Sequence, residues 1–208
     1  MSDLRSWLMP LPFFAVLRGL PPGDAIAVGE ALVEAGFRIL EVPLNSPDPL
    51  ASIRFLAGHF GERVLVGAGT VTASADVDAV RAAGGRIVVM PHTDPELVRH
   101  AVAAGMLVVP GATTPSECFA ALAAGARALK LFPAEILSPE AVRALRAVLP
   151  KDVLLFPVGG IAPDKLEAYR RAGADGFGLG SHLYRPGASA REVGERARAF
   201  AAAWRALA

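Results

Sequence analysis

Short apolar runs alternate along this chain with longer stretches whose apolar positions recur at helical spacing. The short runs are Phe13-Phe14-Ala15-Val16-Leu17, Arg38-Ile39-Leu40-Glu41-Val42, Val64-Leu65-Val66, Arg86-Ile87-Val88-Val89-Met90, Met106-Leu107-Val108-Val109, Ala128-Leu129-Lys130-Leu131-Phe132, Val153-Leu154-Leu155-Phe156 and Gly176-Phe177-Gly178-Leu179. They are apolar at both parities, as parallel strands covered on two faces require. Many of the stretches between them open with turn or cap residues, such as Ser46-Pro47-Asp48-Pro49, Thr93-Asp94-Pro95-Glu96 and Ser138-Pro139-Glu140, which start helices. Gly36, Gly61, Gly84, Gly105 and Gly125 fall 25, 23, 21 and 20 residues apart, and Gly173 follows 48 later. Each stands where a helix would end and a residue of positive φ is wanted. Strand and helix repeated in this way predict an α/β chain, a single (β/α)8 TIM barrel with residues 1–208 as one domain. The rival, a doubly wound open sheet, would be expected to carry a GxGxxG turn after the first strand, where only Arg18-Gly19-Leu20 stands.

In such a barrel, function collects at the carboxyl ends of the strands, and the polar and glycine content of this chain collects there too. Lys130 lies inside the sixth strand, between Leu129 and Leu131. A lysine in an apolar site has its charged form disfavoured, and a neutral amine attacks carbonyls. It serves either as a Schiff-base nucleophile or as a structural cation that snorkels or neutralises a carboxylate. Glu41, inside the second strand, is either its ion partner or a general base. The second and sixth strands share parity, so Glu41 and Lys130 can face each other across the interior. Val158-Gly159-Gly160 after the seventh strand and Leu179-Gly180-Ser181 after the eighth occupy the phosphate position of this architecture, where backbone N–H groups approach an anion. Arg18, at the end of the first strand, is a candidate partner for a substrate anion, and Thr70 offers a hydroxyl to a carboxylate. His92 and His182 fall at strand ends, His59 and His100 on helices.

Composition narrows the field. The chain has 208 residues and a formal net charge of +1, so no basic field recruits nucleic acid or a membrane surface. No apolar run reaches the length of a membrane span, and Met1 to Trp7 lacks the pattern of a signal peptide. The single cysteine, Cys118, excludes an internal disulfide, fits a cytoplasmic protein and reads as packing. The histidines show no metal-binding spacing, so neither a metal nor another cofactor is expected.

Glu41-Val42-Pro43-Leu44-Asn45-Ser46-Pro47, Gly67-Ala68-Gly69-Thr70-Val71, Leu129-Lys130-Leu131-Phe132-Pro133-Ala134-Glu135, Val158-Gly159-Gly160 and Leu179-Gly180-Ser181-His182 together resemble the KDPG/KHG class I aldolase family. The resemblance runs from about Phe13 to the last helix. It implies a metal-free, Schiff-base lyase acting on a phosphorylated 2-keto-3-deoxy sugar acid, assembled as a homotrimer. It implies Lys130 as the Schiff-base lysine, Glu41 as the acid/base, Thr70 as a carboxylate ligand, Pro91 as a pocket residue, and Gly159, Gly160 and Ser181 as the phosphate site. The gluconate branch carries an arginine four residues after the glutamate and a threonine before the paired glycines. Here Asn45 and Val158 stand there, as in the galactonate branch, leaving Arg18 to supply the anion contact. Alternatives are the gluconate epimer as substrate, a metal-free isomerase or synthase using Glu41 alone, and a non-catalytic barrel that binds a phosphorylated sugar.

Overall fold

The computed structural model describes residues 4–207; the stretch Met1 to Asp3 of the expected leaderless start lies outside them. Strands and helices follow in chain order as β1 (Phe13–Val16), α1 (Ala25–Glu34), β2 (Ile39–Pro43), α2 (Pro49–Phe60), β3 (Leu65–Gly69), α3 (Ser74–Ala82), β4 (Ile87–Val89), α4 (Pro95–Ala103) and β5 (Leu107–Val109). They continue as β6 (Gly111–Ala112), α5 (Pro115–Ala123), β7 (Ala128–Leu131), α6 (Pro139–Val148), β8 (Leu154–Pro157), α7 (Leu166–Arg171), β9 (Phe177–Leu179) and α8 (Ala190–Arg205). Each of the eight apolar runs overlaps a strand. The six spaced glycines all have positive φ, from 51° at Gly61 to 108° at Gly125. The helix starts follow the cap chemistry: Asp94 accepts from Glu96 N–H at 2.9 Å, and Thr114 and Ser189 cap their helices together with Glu117 and Glu192.

The closed eight-stranded TIM barrel expected from the repeat is not what the chain forms. The strands divide into a six-stranded parallel half-barrel sheet, ordered β5-β4-β3-β2-β1-β9, and a separate three-stranded sheet, β6-β7-β8. The break on one side falls at Pro110. This residue has no N–H to continue a ladder, and it separates β5 from the two-residue β6, which pairs with β7 instead. On the other side a lone bridge, Val158 to Gly178, links the two sheets. The Val158 side chain fills the space beside Gly178, where a Cβ would lie 2.6 Å from it.

Side-chain alternation along the strands produces two apolar layers. Phe14, Ile39, Leu65, Ile87, Val89, Val109, Ala128, Leu154 and Phe156 form a cluster between the two sheets, entered from the amino-terminal side by Leu4 and Trp7. The other parity, including Phe13, Ala15, Leu40, Val42, Val66, Val88, Leu129 and Leu155, packs outward against the helices. Of the buried residues, the charged ones are Glu41 and Lys130.

Candidate active site

Glu41 and Lys130 both point inward because of strand parity. On β2, Ile39 faces the inner cluster while Leu40 and Val42 face the helices, so Glu41 follows Ile39 inward. On β7, Ala128 faces inward and Leu129 and Leu131 outward, which turns Lys130 toward the same space. Lys130 is held from both sides, by Gly111 on β6 and Phe156 on β8, and its N–H donates to Pro110 O at 2.8 Å. A cavity of about 10 Å³ lies between the two charged groups, lined by Glu41, Lys130, Phe14, Phe156 and Val158 among others. That volume is about the space of one water molecule. A larger cleft of about 280 Å³ opens beyond it. Lys130, Val16 and Val158 line both spaces, so the lysine stands where the open cleft meets the Glu41 chamber.

Among the described residues, Lys130 and Glu41 form no ion pair within 4.0 Å, yet each feels the other's charge. Burial pushes the Glu41 carboxyl up to about 7, against the pull of Lys130 and Arg18. Burial pushes Lys130 below the usual lysine range, opposed by Glu41 and assisted by Arg18. The Lys130 Nζ also lies 4.4 Å from the centroid of the Phe132 ring. Glu41 Oε2 is buried without a hydrogen-bond partner. The carboxylate lies against the backbone of β3, where a Cβ on Gly69 would sit 1.5 Å from Oε2. Gly69→Ala must therefore displace Glu41. It is expected to lose at least about 100-fold in turnover, the scale of a lost acid/base group, with the melting temperature measured alongside to establish that the fold survives.

At the mouth, Arg18 Nη1 donates to Asn45 Oδ1 at 2.5 Å and Nη2 donates to Thr70 Oγ1 at 3.3 Å. Thr70 has φ of 55°, a left-handed conformation that is unusual for a β-branched residue and is found mostly at functional sites. On the opposite wall, Gly159 and Gly160 have φ of 116° and 58°. The Glu135 side chain lies across this turn, with Oε2 2.1 Å from where a Gly159 Cβ would be. Lys165 Nζ donates to Gly160 O at 2.9 Å, and Arg185 Nε donates to Ser181 O at 2.9 Å.

The cleft thus gathers Arg18, Lys130, Val158, Gly159, Gly160, Gly180 and Ser181, with Glu41 behind Lys130 and with Asn45 and Thr70 tied in through Arg18. Pro91 is not among the residues lining the cleft; its carbonyl packs against Gly111, where a Cβ would lie 2.5 Å away. His182 lines the cleft. His59 and His100 instead pair with Glu30 and Asp78, at 3.1 and 3.2 Å. Cys118 is buried in the helix–sheet layer, with its thiol pushed up to about 11 mainly by burial. A second cavity, of about 200 Å³, lies at the amino ends of β5, β7 and β8 beside Arg5, Arg127 and Asp152, away from both Glu41 and Lys130.

A family model described as KDPG and KHG aldolase matches residues 5–195. The chain belongs to the KDPG and KHG aldolase family. Among relatives of this family, the 2-dehydro-3-deoxy-6-phosphogalactonate aldolase of Escherichia coli (strain K12) is 44% identical over 199 residues, covering 96% of this chain and 97% of that protein. The probable 2-dehydro-3-deoxy-6-phosphogalactonate aldolase of Rhizobium meliloti (strain 1021) is 46% identical over 199 residues, covering 96% and 94%. A solved structure described as native KDPGal superposes with a TM-score of 0.94 at 44% identity, covering 97% of this chain and 98% of that one. For this aldolase, sequence reasoning missed the contact of Glu135 with the paired glycines, the packing of Glu41 on Gly69, and the hydrogen bond from Gly19 N–H to Ser46 Oγ at 2.9 Å. The first two had a signal, since Glu135 and Gly69 sit inside the quoted motifs. Ser46 had none beyond its place in a turn.

Proposed function

We propose that this aldolase cleaves 2-dehydro-3-deoxy-6-phosphogalactonate to pyruvate and D-glyceraldehyde 3-phosphate through a Schiff base on Lys130. The observation that carries the proposal is the position of Lys130. It is a buried lysine without a carboxylate contact, at the junction of a glycine-lined cleft and the chamber of a buried glutamate. Its depressed basicity favours the neutral amine that attacks carbonyl carbon. The relatives named for the galactonate epimer, together with Asn45 and Val158, support the choice of substrate.

The Lys130 amine adds to the C2 ketone, and loss of water leaves an iminium. Glu41, directly or through a water, takes the proton of the C4 hydroxyl. The C3–C4 bond breaks, its electrons form the C2–C3 double bond of an enamine, and the C4 oxygen becomes the aldehyde of glyceraldehyde 3-phosphate. A proton returned to C3 restores the iminium. Water then adds to C2, the C–N bond breaks, and pyruvate and the free amine separate. In this scheme Arg18, Asn45 and Thr70 serve the anionic groups at one end of the substrate. Gly159, Gly160, Gly180 and Ser181 receive the phosphate, Val158 faces the sugar hydroxyls, and Pro91 shapes the wall behind β6.

Comparison of the two epimers tests the substrate. The galactonate epimer is expected to have the higher kcat/KM, and Val158→Thr should narrow the gap by adding a hydroxyl that can bond to the substrate. A preference for the gluconate epimer would transfer the assignment to that substrate. We also propose a cytoplasmic homotrimer. Supporting the assembly are apolar side chains left in solvent, Phe119 at 47% and Ile136 at 72% exposure. Sedimentation measures it directly.

A further inference from the structure

We propose that Asn45 and Ser46 are positioning residues for Arg18: Asn45 holds its guanidinium and Ser46 holds the backbone that carries it. The turn after β1 is tied down at several points. Leu17 N–H donates to Glu41 O at 2.9 Å. Gly19 N–H donates to Ser46 Oγ at 2.9 Å, and Ser46 is itself buried. Ser52 Oγ donates to Leu20 O at 3.4 Å. From above, Pro186 closes on Gly19, whose φ is +84° and where a Cβ would meet Pro186 Cγ at 2.6 Å. The loop that supplies Asn45 and Ser46 is anchored in turn, with Ser46 N–H donating to Pro43 O and Leu44 N–H to Gly69 O, both at 2.9 Å. Three consecutive strand ends, β1, β2 and β3, therefore converge on one guanidinium.

The chemistry of the holders matters as much as their geometry. Arg86 and Arg146 pair with the carboxylates of Glu62 and Asp175. Arg18 is held by an amide oxygen and a hydroxyl, and among the described residues it has no carboxylate within 4.0 Å. Neutral acceptors fix the direction of the fork while leaving its charge unspent for an incoming anion. An aspartate at position 45 would hold the same geometry and cancel the charge.

The proposal rests on the assignment of Arg18 to a substrate anion, and a double-mutant cycle separates the two. Asn45→Ala and Ser46→Ala are made in the wild-type and in the Arg18→Ala background, and kcat and KM are measured for the phosphorylated substrate, with melting temperatures as the check on folding. Each variant is expected to raise KM about tenfold in the wild-type background and no more than about twofold once Arg18 is gone, as coupled residues do. Asn45→Asp is expected to raise KM at least as far as Asn45→Ala. Additive losses in the two backgrounds, or an Asn45→Asp enzyme with wild-type KM, would overturn the positioning role while leaving Arg18 as an anion contact. An Arg18→Ala enzyme with unchanged KM would overturn that contact, and the positioning role with it.

Discussion

Lys130→Met is expected to lose at least about 10⁴-fold in kcat, because removing a covalent nucleophile closes the chemical path rather than weakening it. Methionine fills a similar volume without a charge, so the inner cluster of Phe14, Ala128 and Phe156 keeps its packing. The variant is expected to keep its affinity for inorganic phosphate, since Gly159, Gly160 and Ser181 are untouched. Stability should shift in a defined direction. In the folded state burial holds Lys130 below its ordinary value of 10.5. Between that lowered value and 10.5, the unfolded chain binds the proton that the folded chain has released, so this group contributes stability as pH rises. The methionine variant has no such dependence, and its advantage over the wild type should be largest on the acid side of that window. Turnover, phosphate competition and denaturation at several pH values measure all three. Residual turnover above about 1% of wild type would show that the chemistry runs without the lysine, as an isomerase using Glu41 alone would require.

Glu41→Gln is expected to lower kcat by about 10²- to 10⁴-fold, the range for a positioned acid/base group, and to flatten the pH profile. In the wild type, the ionised carboxylate accepts the C4 hydroxyl proton. Since burial raises Glu41 to about 7, kcat/KM should rise as pH increases through that value, and this rise should disappear in the variant. The same shift acts on stability with the opposite slope from that of Lys130. The folded pKa lies above the unfolded value of 4.5, so the stabilising contribution is complete below 4.5 and is lost as pH rises through about 7. The difference in unfolding free energy between Glu41→Gln and wild type should therefore grow by about 3 kcal/mol from about pH 4 to about pH 8. Measuring the growth of the difference removes any fixed cost of burying the amide.

Much of this molecule was legible in the residues because the signals are local. Eight apolar runs found their strands, and Gly36, Gly84 and Gly173 sit at helix ends with φ of 107°, 88° and 103°. The inward placement of Glu41 and Lys130 needed only the two-residue period of a strand. Closure was misjudged although the pairing most distant in the chain, β1 with β9, does form; the ladder breaks instead between neighbours in the chain, after β5 and between β8 and β9. Nothing in Val108-Val109-Pro110-Gly111 states that β5 will stop and the next two residues will pair with β7, although Pro110 marks the place where a ladder must break. The Arg18 network was out of reach because its contacts join distant parts of the chain. Its partners lie 27 and 52 residues away, and an asparagine in a turn looks the same whether it caps a helix or holds an arginine. Pro91, a motif position expected in the pocket, packs its backbone against Gly111, a contact between separate strand ends that no local pattern announces.

Borohydride trapping with pyruvate, read by intact and peptide mass, tests the central claim most directly. Reduction of the iminium should fix one pyruvate-derived adduct on the peptide that contains Lys130, with none on the Lys130→Met protein. A folded protein that turns over substrate yet gains no adduct, or gains it on another lysine, would contradict the assignment of Lys130 as the nucleophile.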